Sequence, residues 1–301
     1  MISNRAGVLE LVGDTPMVSL DRIGPSAGKG RLLAKVEGAN PGGSIKDRIA
    51  LAMILAAEKK GELNQGDTVV EATSGNTGIG LAVVCAARGY RLILAMPEDM
   101  SDERMRLFKW FGAEVRLTPA IEGMSGAVWL AGRLEEEGGI WVRQFESPAN
   151  PEAHYRTTGP EIWRQAGGKV DVLVLGVGTG GTLTGAGRYL KEKNPSLQIV
   201  AVEPATSPVL SGGRSGSHRI HGLGAGFLPG ILDKGLIDEV VTVDDEEAFD
   251  HARLMARKEG LSAGPSSGAA VAAALKAVDR YAGVVVTILP DGMDRYLSMV
   301  D

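Results

Sequence analysis

Short apolar runs rich in β-branched residues alternate along this chain with longer segments whose apolar positions recur at helical spacing. The pattern predicts a short helix over 8–12 and a turn at Gly13-Asp14-Thr15-Pro16, then a strand over 32–36. A helix over 49–60 carries Ile49, Ala52, Met53 and Ala56 on one face and stops at Gly61. Strands over 68–71, 92–96, 114–117 and 140–142 then alternate with helices over 78–88, 103–111 and 125–137, with Gly89 closing the helix over 78–88. Glu135 to Glu137 read as a solvated helix face. The second half repeats the scheme, with strands over 170–175, 199–202 and 284–289 and helices over 181–193, 246–258 and 267–281. This alternation predicts an α/β fold of mostly parallel sheets flanked by helices, with ligands at the carboxyl ends of strands. A shift to Ser, Pro, Ala and Asn over 146–150 marks a domain boundary, and the Gly- and Ser-rich stretch 211–226 reads as a long functional loop.

Composition narrows the picture little. The 301 residues leave room for two domains, each with its own core. Lys plus Arg number 32 against 37 Asp plus Glu, which argues against nucleic acid or an anionic membrane as partner. The 42 glycines cluster after apolar runs, where backbone turns tightly or meets a ligand closely. A single cysteine, Cys85, excludes an internal disulfide and reads as a small buried hydrophobe. Arg5 and Glu10 with no apolar stretch between them predict no signal peptide, and no run approaches the roughly 18 residues of a membrane span. A cytoplasmic location is the expectation.

Four stretches carry candidate chemistry. In Asn40-Pro41-Gly42-Gly43-Ser44-Ile45-Lys46-Asp47-Arg48, Ser44 and Asp47 predict a capping box at the start of a helix. Lys46 then stands in the first turn, where the helix dipole disfavours the ammonium and favours a free nucleophilic amine. Such an amine forms Schiff bases with carbonyl compounds, although a solvated surface lysine is the ordinary reading of Lys46 alone. In Gly176-Val177-Gly178-Thr179-Gly180-Gly181-Thr182 a strand ends in glycines and turns into a helix, an arrangement suited to a phosphate monoester. It lacks the Lys-Ser/Thr of a Walker loop and the spacing of a dinucleotide fingerprint. Glu71-Ala72-Thr73-Ser74-Gly75-Asn76-Thr77-Gly78 also joins a strand to a helix and suits a carboxylate, with Asn76 able to fix a ring hydroxyl. Ala263-Gly264-Pro265-Ser266-Ser267-Gly268 leads into an alanine-rich helix, where Ser267 reads as a cap.

Together these stretches resemble the cysteine synthases (O-acetylserine sulfhydrylases), fold-type II pyridoxal phosphate enzymes of the tryptophan synthase β-like architecture. Further motifs in the same order carry the resemblance over nearly the whole chain. They are Gly13-Asp14-Thr15-Pro16, Gln144-Phe145, Thr157-Thr158-Gly159-Pro160-Glu161-Ile162-Trp163, Gly222-Leu223-Gly224-Ala225-Gly226-Phe227 and Arg295-Tyr296-Leu297-Ser298. The resemblance implies a smaller, mobile N-terminal domain over 1–145, with the segment near 13–36 crossing into a larger cofactor-binding domain over 146–301. It implies that Lys46 is the Schiff-base lysine and catalytic base, and that Asn76 faces the ring oxygen of pyridoxal 5'-phosphate. Gly178, Thr179, Gly180, Gly181 and Thr182 would hold the phosphate, and Ser266 the pyridine nitrogen. Thr73, Ser74, Thr77 and Gln144 would grip the substrate carboxylate. The implied reaction makes L-cysteine from O-acetyl-L-serine and sulfide through an α-aminoacrylate, in a homodimer that can partner a serine acetyltransferase.

The chain departs from the family pattern in places. Asp14 stands where Asn or His is usual, His221 where Gln is usual, and Asp291-Gly292-Met293-Asp294 replaces a run of small residues. Asp291 reads either as lying near the pyridine edge or as a helix cap. His218 and His221 make no convincing metal pair, so no metal is expected, and His154 and His251 read as structural or exposed. The rivals are a cystathionine β-synthase, an O-phosphoserine sulfhydrylase and an inactive regulatory partner of serine acetyltransferase. Gly224-Ala225-Gly226-Phe227 disfavours the first, and intact Lys46, Asn76 and Ser266 disfavour the last.

Overall fold

A computed structural model describes residues 7–25, 30–99, 102–281 and 283–299; Arg5 lies outside them. In chain order the elements begin with β1 (Met17–Ser19), β2 (Arg31–Val36), α1 (Lys46–Lys60), β3 (Thr68–Ala72) and α2 (Asn76–Arg88). Next come β4 (Arg91–Pro97), α3 (Asp102–Trp110), β5 (Glu114–Thr118), α4 (Gly123–Glu136), β6 (Ile140–Trp141), α5 (Ala149–Ala153) and α6 (Gly159–Gln165). The chain continues through β7 (Val172–Gly176), α7 (Gly181–Lys193), β8 (Gln198–Pro204), β9 (Glu239–Val243), α8 (Asp245–Glu259), α9 (Pro265–Arg280) and β10 (Val284–Leu289). These form two compact units, one of residues 7–12 and 40–150, the other of 13–39 and 151–299.

The first unit is built on a four-stranded sheet in the order β5-β4-β3-β6, parallel throughout. Val70, Ala72, Ile93, Ala95, Ala127 and Ala131 form a core between this sheet and α4. On α2, a Cβ at Gly80 would sit 3.0 Å from the Lys46 carbonyl oxygen, so glycine there lets α2 approach the start of α1. Gly61 and Gly89 end α1 and α2 in the left-handed conformation, as their positions predict. Glu135 departs from the expected solvated face. Its carboxylate takes a two-pronged hydrogen bond from Arg143, which holds it below the usual carboxylate range.

The second unit carries a six-stranded sheet, β1-β2-β10-β7-β8-β9, parallel except for β1. All six residues of the central β10 are buried, consistent with its uninterrupted Val-Val-Val-Thr-Ile-Leu run. Lys35 is buried in β2, 2.7 Å from the Glu161 carboxylate on α6, and also donates to the Thr15 carbonyl and Gln165 Oε1. A Cβ at Gly268 would lie 1.9 Å from the Ala248 carbonyl oxygen, so α8 and α9 pack backbone to side-chainless backbone.

Four of these elements, β1, β9, α5 and α6, show no pattern along the sequence. β1 has only three residues, too few for an alternation to show, and β9 is a sheet-edge strand interrupted by Glu239 and Thr242. The segment over 149–165 is helical but broken into α5, one π-turn (His154–Thr158) and α6, with Pro151 and Pro160 inside it.

Candidate active site

In the first unit the predicted residues gather at the carboxyl end of β3 and the starts of α1 and α2. Lys46 is the first residue of α1 and half-buried. The expected capping box does not form. Ser44 Oγ accepts from the Lys46 N–H at 3.2 Å, but the Asp47 carboxylate turns back to the Gly42 N–H at 2.5 Å. A Cβ at Gly42 would fall 2.5 Å from that carboxylate, so Asp47 tethers the glycine turn instead of the helix end. Because α2 lies against the Lys46 backbone, the helix that begins at Asn76 fixes where Lys46 stands.

Thr73 follows β3 directly, and its hydroxyl oxygen accepts from the Gly75 N–H at 3.1 Å, shaping the turn into α2. Thr77 is buried on the first turn of α2 and donates to Gln144 Oε1 at 2.6 Å. Gln144 is buried just beyond β6, where its carbonyl accepts from Asn150 Nδ2 at 2.8 Å. Ser74 is partly buried, its carbonyl 3.5 Å from Arg104 Nη1. Thr73, Ser74, Asn76, Thr77 and Gln144 thus share one end of one sheet.

The second unit brings together Gly178 to Thr182 and Ser266. The loop after β7 passes the loop at Gly222 so closely that a Cβ at Gly178 would meet the Gly222 carbonyl oxygen at 2.3 Å. Gly180 has φ +82 and caps α7 without any side-chain bond, so the helix presents backbone N–H groups framed by Thr179 and Thr182. A left-handed glycine, a tight glycine crossing and a 13-residue helix start fit a phosphate group. Ser266 is buried on the first turn of α9, beside Gly222, whose Cβ would lie 3.7 Å from Ser266 Oγ. Ser267 does not cap α9. Gly264 is the N-cap, Pro265 opens the helix, and Ser267 Oγ donates to the Asp291 carbonyl at 3.3 Å. Asp291 is no cap either; it lies against Gly264 and its carboxylate accepts from the Tyr296 hydroxyl at 2.5 Å. His221 stacks over the Tyr296 ring at 6.0 Å between centroids.

Two residues went unnoticed as parts of these groups. His154, read as structural or exposed, is 1% exposed and bridges Thr158 Oγ1 at 2.9 Å to Thr182 Oγ1 at 3.2 Å. Its π-turn is a hint only the folded backbone gives. Glu71 is buried at the end of β3, and burial pushes its carboxyl up to about 7. Its place two residues before Thr73 was a signal the sequence did offer.

The pyridoxal-phosphate dependent enzyme family model matches residues 8–291. The chain is 51% identical over 295 residues to a cysteine synthase of Staphylococcus aureus strain MRSA252, covering 97% of this chain and 95% of that protein. Among solved structures, an O-ureido-L-serine synthase is 44% identical with a TM-score of 0.95, over 98% of this chain and 94% of that one. A cysteine synthase of Entamoeba histolytica is 40% identical with a TM-score of 0.94, over 99% and 92%. The two parallel-sheet units are those of a fold-type II enzyme. With likeness of this extent in both sequence and fold, the chain belongs to the cysteine synthases, within the pyridoxal-phosphate-dependent enzymes.

Proposed function

We propose that the chain makes L-cysteine from O-acetyl-L-serine and sulfide, acetate leaving the β-carbon and sulfur taking its place. The observation that carries the reading is the buried Thr77–Gln144 pair beside Thr73 and Ser74, in a chain half identical to a cysteine synthase. Pyridoxal phosphate, when bound, supplies the electron sink for the pair left at the α-carbon. In this reading the Lys46 amine anchors the cofactor, then takes the α-proton. The N–H groups of Gly178 to Thr182 hold the phosphate at the positive end of α7. Asn76 meets the ring oxygen, and Ser266 offers a neutral hydroxyl to the pyridine nitrogen. That pairing suits β-elimination because it does not force a proton onto the ring. The hydroxyls of Thr73, Ser74 and Thr77 and the Gln144 amide orient the amino acid by its carboxylate.

A second reading rests on the likeness to the O-ureido-L-serine synthase: the first steps stay the same and another nucleophile replaces sulfide. The purified protein is mixed with O-acetylserine and sulfide, and cysteine is measured alongside the cofactor's visible spectrum. Cysteine formation with a spectral change on O-acetylserine, both lost in Lys46→Ala, is the expected result. Response to O-phosphoserine or serine alone overturns the substrate assignment, and O-acetylserine turnover without cysteine favours the second reading.

A further inference from the structure

Glu71 is 2% exposed, and both of its carboxylate oxygens accept from N–H groups. Oε1 accepts from the Ala72 N–H at 2.9 Å and from the Trp141 indole N–H at 3.1 Å; Oε2 accepts from the Gln144 N–H at 3.1 Å. The sheet does little to place Gln144 itself. β6 is two residues long, pairing with β3 only at Val69↔Ile140 and Val70↔Trp141, and one more backbone bond joins Val142 to Val70. Beyond that point the hold of β3 on the segment carrying Gln144 passes through the Glu71 carboxylate. Gln144 in turn receives the Thr77 hydroxyl on Oε1.

We propose that Glu71 is a positioning residue whose carboxylate sets Gln144 against Thr77 and thereby sets affinity for the carboxylate of the amino-acid substrate. The proposal rests on the reading of Thr73, Thr77 and Gln144 given above. Three N–H groups point at an acceptor with no hydrogen to donate, so placing a proton on either oxygen turns one of those contacts into donor against donor. Burial brings that protonation into the neutral range, to about 7. The charged groups acting on Glu71 are Arg143, which favours the carboxylate, and through it Glu135 and Glu146, both paired to Arg143. The Arg143 guanidinium also lies 4.2 Å over the Trp141 ring, so the donor that reaches Glu71 is itself braced.

The test is steady-state kinetics of the cofactor-loaded enzyme with O-acetylserine from pH 5.5 to 8.5, in wild type, Glu71→Gln, Trp141→Phe and Gln144→Ala. In Glu71→Gln an amide NH2 faces one of the three donors. KM at pH 8 should rise by roughly fivefold, the weight of one hydrogen bond, with kcat and cofactor content kept. The wild-type rise in KM as pH falls through about 7 should be absent from that variant. Trp141→Phe keeps the ring in the core and removes one donor to the carboxylate, so its KM midpoint should move to higher pH. Should Glu71→Gln not fold, an unmoved midpoint in Trp141→Phe overturns the proposal. A Glu71→Gln enzyme with wild-type KM and pH profile, beside a Gln144→Ala enzyme with raised KM, overturns the positioning role while leaving the carboxylate reading in place. An unchanged KM in Gln144→Ala overturns that reading and the proposal with it.

Discussion

Exchanging Lys35 for methionine keeps the side chain in β2 as far as Cε and removes its charged end. In the native second unit Nζ lies 2.7 Å from Glu161 and 2.9 Å from both the Thr15 carbonyl and Gln165 Oε1. The side chains of the pair are 0% and 9% exposed, so water cannot take over for the missing cation. Taking one member from such a pair costs about 3–5 kcal/mol, because the remaining charge stays buried without its counter-ion. Part of the local network survives, since Gln165 Nε2 still donates to the Thr15 carbonyl at 2.8 Å. The lower end of that range, about 3 kcal/mol, is therefore the expected loss for Lys35→Met. Adding Glu161→Gln should recover most of it, as removing both charges also removes their desolvation penalty. Urea unfolding followed by far-ultraviolet circular dichroism reads both variants against wild type, the double-mutant cycle giving the coupling between the two positions. A Lys35→Met chain within about 1 kcal/mol of wild type, or a double variant no better than the single one, refutes the reasoning.

Other outcomes follow from the same structure. Glu71 has a folded-state value near 7 against 4.5 for an exposed carboxyl, so it favours folding fully below 4.5 and loses that contribution as pH rises through 7. The effect is about 3 kcal/mol, and Glu71→Gln should flatten the decline of stability over that window; an equally steep decline in the variant counts against the burial argument. In Gly178→Ala the new Cβ would meet the Gly222 carbonyl oxygen at 2.3 Å, so pyridoxal phosphate content after dialysis should fall sharply, and full retention would contradict the phosphate assignment. Cys85 is buried and its thiol is pushed up to about 12, so it should react with a thiol reagent only after denaturation; prompt labelling of the native enzyme would show the site to be open.

What the sequence determined was whatever depends on neighbours along the chain. Apolar periodicity located the long helices, with α7 and β10 at their observed bounds. Glycine after a strand marked the loop at Gly178 to Thr182, because only a residue without a side chain tolerates the backbone path taken there. Local chemistry misled where another partner outbid it. The spacing of Ser44 and Asp47 was right for a capping box, but Gly42 offered its N–H to the same carboxylate. Ser267 had the residue type of a cap, yet the Asp291 carbonyl, 24 residues away, takes its hydroxyl.

Only the tertiary structure decided which polar groups are sealed from water and with what. Glu71 in a strand and Glu135 on a helix are the same residue type; the fold buries one among three N–H donors and leaves the other half-exposed against Arg143. His154 joins the threonine at the start of α7 because a π-turn, which no residue spacing announces, aims its ring there. β1 and β9 exist for the same reason. Each is held as a strand by the partner it pairs with across the sheet, and such pairings join residues far apart along the chain. Local propensity is summed over a few residues, whereas burial and hydrogen-bond satisfaction are settled by the whole fold at once.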